Sequence, residues 1–373
     1  MRQDFCGHLS TRPAFLPTTH LPCDGLLQSP ERFADVLREA EMDVLSEVLK
    51  VVKLQGALFY NAEFSSPWSV YAASSSGLAR FFATGTEHVI VYHLLTEGRA
   101  SARLKDGERV SLQAGDIVMI PHGDPHFVEN GPTTKTVDDS ANLRDVLAQG
   151  LKLWRLGGGG EVTKFVCGYM ACEHRLSQIF LAGLPPIFKV NIRNDASGRW
   201  LENSIRFSVD QSGVSQAGGE AVLAKLSEVL FVETLRVYIS HLPPQQTGWL
   251  AGARDPEIGK TLALMHRNPA HPWTIAALAQ EAGVSRSVLA ERFRHYLSEP
   301  PMAYLTRWRL QLGAQMLAST SYSAAQIAAE VGYESEAAFN RAFKREFTVP
   351  PARFRSQSRS AHGAESQVRP VKH

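Results

Sequence analysis

Two segments of the chain carry side chains that could bind a nucleic acid. Arginine can donate two hydrogen bonds to guanine, asparagine can pair with adenine, glutamate can accept from cytosine, and arginine or lysine can neutralise a phosphate. In both segments such side chains recur at helical spacing on the face opposite an apolar stripe. The candidates are Arg286, Ser287, Glu291 and Arg294 in the first segment and Ser335, Glu336, Asn340, Arg341 and Lys344 in the second.

The elements that would position these side chains form a unit that occurs twice. Seven positions recur in order, with Ala279, Gly283, Leu289, Phe293, Pro300, Pro301 and Tyr304 matched by Ala328, Gly332, Phe339, Phe343, Pro350, Pro351 and Phe354. An ordered internal match indicates two equivalent supersecondary units. In each unit a short amphipathic helix ends at the glycine, and a serine such as Ser285 can cap the helix that follows. The sequence therefore predicts two helix-turn-helix units.

One further helix, Met302 to Leu317, is predicted between the two units, with Leu305, Trp308, Leu312 and Met316 on one side. Two helices read one face of a DNA duplex only when they are held about one helical turn, roughly 34 Å, apart. A rigid connecting helix meets that requirement. Basic side chains outnumber acidic ones between residues 257 and 355, whereas acidic ones are in excess before residue 257. This distribution favours phosphate contact by the repeated region.

The strings PPMAYLTRWRLQLGAQML and GYESEAAFNRAFKREFTVPPARFR resemble the DNA-binding domain of AraC/XylS-type bacterial transcription regulators. The resemblance implies an all-α domain that inserts two recognition helices into successive major grooves of double-stranded DNA. It also implies binding to promoter half-sites as a homodimer and contact with RNA polymerase. Members of this family often carry a base-contacting arginine at the position of Arg341, which we therefore expect to contact guanine.

The contacts predicted for the remaining candidate side chains are less specific. Three basic ones are expected to contact phosphate, namely Arg286, Arg294 and Lys344. Asn340 could read adenine or only bind phosphate. Glu291 could accept from cytosine or could be a solvated carboxylate that pairs with Arg286 or Arg294.

The first half of the chain has a different residue pattern, in which short segments typical of β-strands occur between Val51 and Ile120 and are separated by turn residues. Such runs indicate an antiparallel sandwich or barrel. The string GDIVMIPHGDPHFVEN resembles the second cupin motif through Gly115, Pro121, Gly123, His126 and Asn130. The first cupin motif is not intact, because its ligand positions hold Thr84, Thr86 and Val91.

His93 is the one histidine near the first motif that could join His126, and the pair is the candidate effector pocket. Mononuclear catalytic metal sites generally need three protein ligands, so we expect neither a metal, nor another cofactor, nor enzymatic activity. The alternative is a metal-dependent cupin oxygenase or isomerase fused to a DNA-binding module. A further alternative is a regulator without an effector, whose cupin-like half serves only for dimerisation.

Four cysteines in 373 residues do not suggest a disulfide framework. Cys167 and Cys172 would lie on opposite faces of a strand or about 140° apart on a helix, and neither arrangement favours a disulfide between them. Each could be an inert buried thiol, or the two could act as a redox switch. The sequence has no long apolar run and no secretion signal. We therefore expect a cytoplasmic protein without membrane contact.

The predicted fold class is α+β and multidomain, with a β-rich cupin-like barrel and its helical extension followed by an all-α double helix-turn-helix domain. The predicted boundaries are a regulatory and dimerisation domain at 1–242, a linker at 243–256, the DNA-binding domain at 257–355 and a disordered tail at 356–373. The linker follows from the sequence PPQQTG. Before it, a helix with an apolar stripe from Val222 to Val237 could pack on the barrel or form a dimer interface.

Overall fold

The computed structural model describes residues 43–51, 54–74, 88–105, 107, 109–132, 135–138, 153–172, 181–212 and 218–365. Residues 1–42 and 366–373 lie outside the described residues, as do Thr84 and Thr86. Helix α1, Val44–Val51, opens the described chain, and the Asp43 carboxylate caps it by accepting from the backbone N–H of Leu45 at 3.0 Å. Among the described helices, none has the length and apolarity that a membrane crossing requires.

Two β-sheets form the described part of the N-terminal half. In chain order the strands are β1 (Leu54–Ser65), β2 (Trp68–Ala72), β3 (His88–Glu97), β4 (Arg99–Leu104), β5 (Val110–Gln113), β6 (Asp116–Ile120), β7 (His126–Asn130), β8 (Val137–Asp138), β9 (Leu153–Gly157), β10 (Val162–Cys172) and β11 (Phe188–Asn191). The strand orders are β11-β6-β3-β10-β1-β9 in one sheet and β5-β4-β7-β2-β8 in the other. Neighbouring strands are antiparallel, except that β9 runs parallel to β1 and β8 runs parallel to β2.

Aromatic side chains from both sheets share one core. Trp68 of β2 packs against Phe64 of β1 and Phe165 of β10, with ring centroids 4.9 and 5.8 Å away. All three rings are buried. Aliphatic side chains of β3 and β6, among them Val91 and Val118, complete the same cluster. The predicted β-rich cupin-like half is confirmed.

The helical extension begins after a 3-10 turn at Ile192–Asn194 and consists of α2 (Ala196–Ser212) and α3 (Gly219–Ser240). A buried contact attaches α3 to the sheet, because the Ser227 hydroxyl lies 2.6 Å from the Tyr92 hydroxyl of β3. The Arg193 guanidinium, just before α2, donates to both carboxylate oxygens of Glu202 on α2, at 2.5 and 2.7 Å. Fork-to-fork pairing of this kind fixes the direction of both side chains.

Helix α3 does not bury its predicted apolar stripe as a unit. Val222 and Val229 are 52% and 47% exposed. Leu230, which also belongs to the predicted stripe, is fully buried, as are Leu223 and Leu235, which do not. The helix has apolar side chains on more than one face, so periodicity alone cannot decide which of them turns inward.

The C-terminal half is helical. Its helices are α4 (Trp249–Arg254), α5 (Pro256–Arg267), α6 (Ile275–Ala282), α7 (Arg286–Leu297), α8 (Pro301–Ser319), α9 (Ala324–Glu330), α10 (Glu336–Phe347) and α11 (Pro351–Glu365). Helix α8 is the predicted connector, and α6-α7 and α9-α10 are the two predicted helix-turn-helix units. Helix α1, although it precedes the sheets in the chain, packs against α5.

Both ends of the helical half differ in detail from the boundaries that the sequence suggests. The second half of the predicted linker is helix α4, and its Trp249 is buried, with Nε1 donating to the Tyr304 hydroxyl of α8 at 2.8 Å. Residues 356–365, assigned to a disordered tail, continue helix α11. This segment contains three serines and Gly363 but no proline, and its alanines, arginine, glutamine and glutamate extend a helix that is already nucleated by residues 351–355.

Candidate nucleic-acid interface

The first helix-turn-helix unit is shaped by two capping devices. Gly283 ends α6 in the left-handed conformation, with φ of 73°, which glycine adopts without a Cβ clash. The Ser285 hydroxyl then accepts a hydrogen bond from the backbone N–H of Val288 and caps α7. Leu289 and Phe293 of α7 are fully buried. All four predicted side chains of this helix are exposed, namely Arg286, Ser287, Glu291 and Arg294.

The second unit repeats this construction, with a capping box between Ser323, just before α9, and Gln326 in the first turn of α9, and with a serine cap at Ser335 before α10. Phe339 and Phe343 of α10 are fully buried. Four of the five predicted side chains are exposed: Ser335, Glu336, Arg341 and Lys344. Both proposed recognition helices therefore present a polar face and bury the opposite one.

Asn340 is the exception among the predicted side chains. It is half-buried, and its Oδ1 atom is buried without a hydrogen-bond partner among the described residues. Paired recognition of adenine needs both the oxygen and the nitrogen of the side-chain amide. The Asn340 side chain would therefore have to rotate before it could read adenine.

Glu291 and Arg292 have different surroundings although they are neighbours on α7. Within the described residues, no ion pair joins Glu291 to Arg286 or Arg294. Arg292 instead pairs with Asp255, which caps α5, and with Glu257 at 3.0 Å. Burial raises the pKa of Asp255, but the Ile258 N–H and the Arg292 guanidinium outweigh burial and hold it below its ordinary value. Helix α7 is thereby fixed to the start of α5.

The sequence pattern does not single out Arg292, because a basic residue beside Arg294 looks like one more surface charge. The available signal is Asp255 followed by Pro256, which is typical of a helix N-cap with proline in the first turn. That signal predicts the cap but not the partner that reaches it from α7.

The connecting helix α8 holds the two units at close range. A Cβ atom on Gly313 would lie 2.9 Å from the Phe339 ring of α10, so only glycine fits at this position. Trp308 of α8 is fully buried, and its ring stacks on the His266 imidazole of α5 with centroids 4.0 Å apart. Trp308 is thus part of the core of the helical domain. The spacing of the two proposed recognition helices depends on these contacts.

Comparison with known proteins agrees with this geometry. A family profile described as Cupin matches residues 43–240, and a second one, described as Helix-turn-helix domain, matches residues 278–357. A putative AraC-like transcription regulator of Streptomyces lividans is 31% identical over 84% of this chain and 98% of its own length. The chain belongs to the AraC-like transcription regulators.

Two other relatives of this AraC-like regulator support the same assignment. The HTH-type transcriptional regulator AlkR of Acinetobacter baylyi is 29% identical over 85% of this chain and 100% of its own length. The RCS-specific HTH-type transcriptional activator RclR of Escherichia coli is 28% identical over 85% of this chain and 99% of its own length. The predicted DNA-binding regulator with a cupin regulatory half is confirmed, and these relatives, all named as regulators, do not favour the fused-enzyme alternative.

In the cupin half of the AraC-like regulator, the two histidines predicted to line a pocket contact each other in the core. The Nε2 atoms of His93 on β3 and His126 on β7 are 2.8 Å apart, and His93 Nδ1 lies 2.8 Å from the Cys167 Sγ atom on β10. His126 Nδ1 lies 2.9 Å from the backbone carbonyl of Asp124. His93, His126 and Cys167 are 2%, 1% and 3% exposed.

One proton arrangement satisfies this chain of contacts when both rings are neutral. The Asp124 carbonyl can only accept, so His126 donates from Nδ1 and accepts at Nε2. His93 then donates from Nε2, and the Cys167 thiol donates to His93 Nδ1. Neutral rings are expected, because burial and the neighbouring His126 hold the pKa of His93 well below its ordinary value and burial lowers the pKa of His126 to about 4.

The same geometry bears on metal binding by this AraC-like regulator. His93 directs one ring nitrogen to Cys167 and the other to His126, so the three side chains do not converge on a single point. Among the described residues, no group of three His, Cys, Asp or Glu side chains is arranged to hold a metal ion. Cys172, at the end of β10, is buried and not in a disulfide.

Proposed function

We propose that this protein binds promoter half-sites with α7 and α10 and regulates transcription through contact with RNA polymerase in the cytoplasm. Its activity is controlled by a signal, a small effector or an oxidant, that the cupin half receives. One observation carries the proposal: two equivalent capped helices bury Leu289 and Phe339 at matching positions and expose basic side chains opposite. The rigid connector α8, with Gly313 against α10, supports joint insertion of both helices.

Within this interface we assign one base contact and several phosphate contacts. Arg341 is exposed on α10 and is assigned to guanine, which an arginine recognises by two hydrogen bonds. Arg286, Arg294 and Lys344 are assigned to phosphates. Asn340 is assigned to phosphate rather than adenine, because its Oδ1 atom faces the domain interior. Glu291, which has no ion-pair partner among the described residues, remains available to accept from cytosine.

Selection of genomic DNA fragments by the purified full-length protein tests this function. The expected result is a recurrent element with two half-sites about one helical turn apart, and affinity for it should fall steeply as salt rises because phosphate contacts release counterions. Recovery of fragments without a common element, or salt-independent binding, would contradict the proposal.

We also propose that the protein acts as a homodimer joined through the helical extension of the cupin half. Trp200 and Phe207 of α2 are 61% and 66% exposed and lie seven residues apart, hence on one face of the helix. Val222 and Val229 repeat this spacing on α3, which packs against α2. Large apolar side chains grouped on exposed helix faces are typical of an interface. A second copy can cover both faces by twofold symmetry.

Replacement of Phe207 by aspartate should therefore dissociate the dimer. Sedimentation velocity of the full-length protein should show the dissociation constant rising by about tenfold or more, because burial of an unpaired carboxylate is strongly unfavourable. Gln280→Asp, on the exposed surface of α6, adds the same single charge away from the proposed interface and is the control. An equal loss of dimer in both variants, or an unchanged one in Phe207→Asp, would place the interface elsewhere.

A further inference from the structure

A cleft of about 360 Å³ lies at the junction of the two halves of the chain, a volume within the range of small-molecule sites. Its walls come from β11 with the 3-10 turn, from the last turn of α3 and from residues 242–246, which lead into the helical domain. Ten residues line it: Lys189, Val190, Asn191, Asn194, Val237, Tyr238, His241, Leu242, Pro243 and Gln246.

The chemistry of this hinge cleft favours a ligand with hydrogen-bond acceptors and negative charge. The ten lining residues include a lysine and a histidine but no aspartate or glutamate. The Asp116 carboxylate, which forms an ion pair with Lys189, is buried and also accepts from Asn191 Nδ2 at 2.8 Å and from the Gln113 N–H at 2.9 Å. Lys189 donates to the Ser111 carbonyl at 2.7 Å and to the Asp116 carboxylate at 3.2 Å, which leaves one of its three protons for a ligand. The Lys189 ammonium is thereby held in place before any ligand arrives.

Three further polar groups in the hinge cleft can form hydrogen bonds with a ligand. Within the part of the chain that the structure describes, the side-chain amides of Asn194 and Gln246 and the hydroxyl of Tyr238 make no hydrogen bond. Burial raises the pKa of Tyr238, so its hydroxyl keeps its proton and can donate. The Tyr238 ring packs on Phe188 at 4.4 Å and, together with Val237 and Leu242, offers an apolar wall.

The hinge cleft is connected to α7 by short contacts. Leu242, Pro243 and Gln246 also line a neighbouring cleft that reaches Asp255 and Tyr296. The Arg254 guanidinium donates to the Leu242 carbonyl at 2.6 Å. In the same region the Gly248 N–H donates to the Tyr296 carbonyl, in the last turn of α7, at 2.8 Å. A change in the path of residues 242–248 would therefore act on the C-terminal end of α7.

We propose that the hinge cleft is the effector site of this regulator and that it takes a small organic anion with an apolar body. The anionic group would meet Lys189, Asn194 and Tyr238, and the apolar body would lie against Val237 and Leu242. This inference rests on the proposed function, since it supplies the signal that the cupin half receives. It places the effector away from His93 and His126, which are buried against each other. Occupancy changes the path of residues 242–248 and thereby the placement of α7.

Covalent attachment of a group inside the hinge cleft tests whether occupancy of the cleft changes operator affinity. The full-length variants Gln246→Cys and Gln245→Cys are treated with benzyl methanethiosulfonate, and operator affinity is measured before and after. Gln246 lines the cleft and its neighbour Gln245 does not. Modification of Gln246→Cys should change the affinity by about tenfold, a typical allosteric coupling, and modification of Gln245→Cys should not. Wild-type protein treated in the same way accounts for the native cysteines. Equal effects in both variants, or none, would overturn the coupling, whereas failure of the unmodified wild type to bind operator would overturn the proposed function.

Benzoate and its neutral counterpart benzamide test the ligand class. Benzoate should slow modification of the Gln246→Cys thiol by a factor that rises with concentration to about tenfold at ten times its dissociation constant. Benzamide should protect much less, and neither compound should protect Gln245→Cys. Asn194→Leu, introduced into the Gln246→Cys background, should abolish the protection. Equal protection by both compounds, or protection by neither, overturns the assignment of an organic anion.

Discussion

Replacement of Arg341 by alanine is expected to weaken operator binding by about 1–3 kcal/mol, roughly tenfold to a hundredfold, and to relax the preference for guanine at one position of the half-site. Arg341 is exposed on α10, on the side opposite the buried Phe343, and within the described residues it has no ion-pair partner. The loss should therefore appear in binding rather than in stability. Titration of fluorescent operator variants with full-length protein measures both effects.

Two other substitutions distinguish a base contact from a phosphate contact. Lys344→Ala, one turn further along α10, should weaken binding to all operator variants alike and lower the salt slope by about one. Lys105→Ala removes the same charge as Arg341→Ala from an exposed turn of the cupin half and should leave operator affinity unchanged. If Arg341→Ala weakened every operator variant equally, Arg341 would be a phosphate contact and the assigned base contact would be wrong.

Replacement of Trp249 by alanine should destabilise the helical domain by about 3–5 kcal/mol, the usual cost of removing a large buried aromatic side chain. Trp249 is 4% exposed, and its Nε1 donates to the Tyr304 hydroxyl, which in turn lies 2.7 Å from His266 Nε2. Burial lowers the pKa of His266 to about 3, so this imidazole is neutral at pH 7 and belongs to the core. Urea unfolding of the full-length protein, followed by circular dichroism, measures the loss.

Tyr322→Ala is the control, since the Tyr322 side chain is 46% exposed between α8 and α9 and its removal should leave the unfolding transition of the helical domain unchanged. The same argument predicts that a fragment starting at residue 243 is more stable than one starting at residue 257, which lacks α4. Equal melting temperatures of the two fragments would contradict the assignment of α4 to the helical domain and would favour the boundary that composition suggests.

Composition and spacing were sufficient for the parts of this protein that depend on local interactions. Gly283 and Ser285 mark the turn and the cap of the first unit because a positive φ and a free helix end are properties of a few neighbouring residues. The repetition of Leu289 and Phe293 as Phe339 and Phe343 decides which face of each proposed recognition helix is buried. The outward positions, including Arg341, follow from the same periodicity.

Other features depend on which distant segments meet, and these only the tertiary structure decided. PPQQTG looks like the start of a linker, yet Trp249 shortly after it is part of the core because α8 supplies Tyr304. The sequence allows helix α3 to bury either of its apolar faces. Only the folded structure shows that the face with Ser227, next to Tyr92 and the sheet, is the buried one. Periodicity assigns a side chain to a face within its own helix or strand. The partner that covers that face comes from far along the chain, so the contact between His93 and Cys167 and the hinge cleft emerge only when the chain is folded.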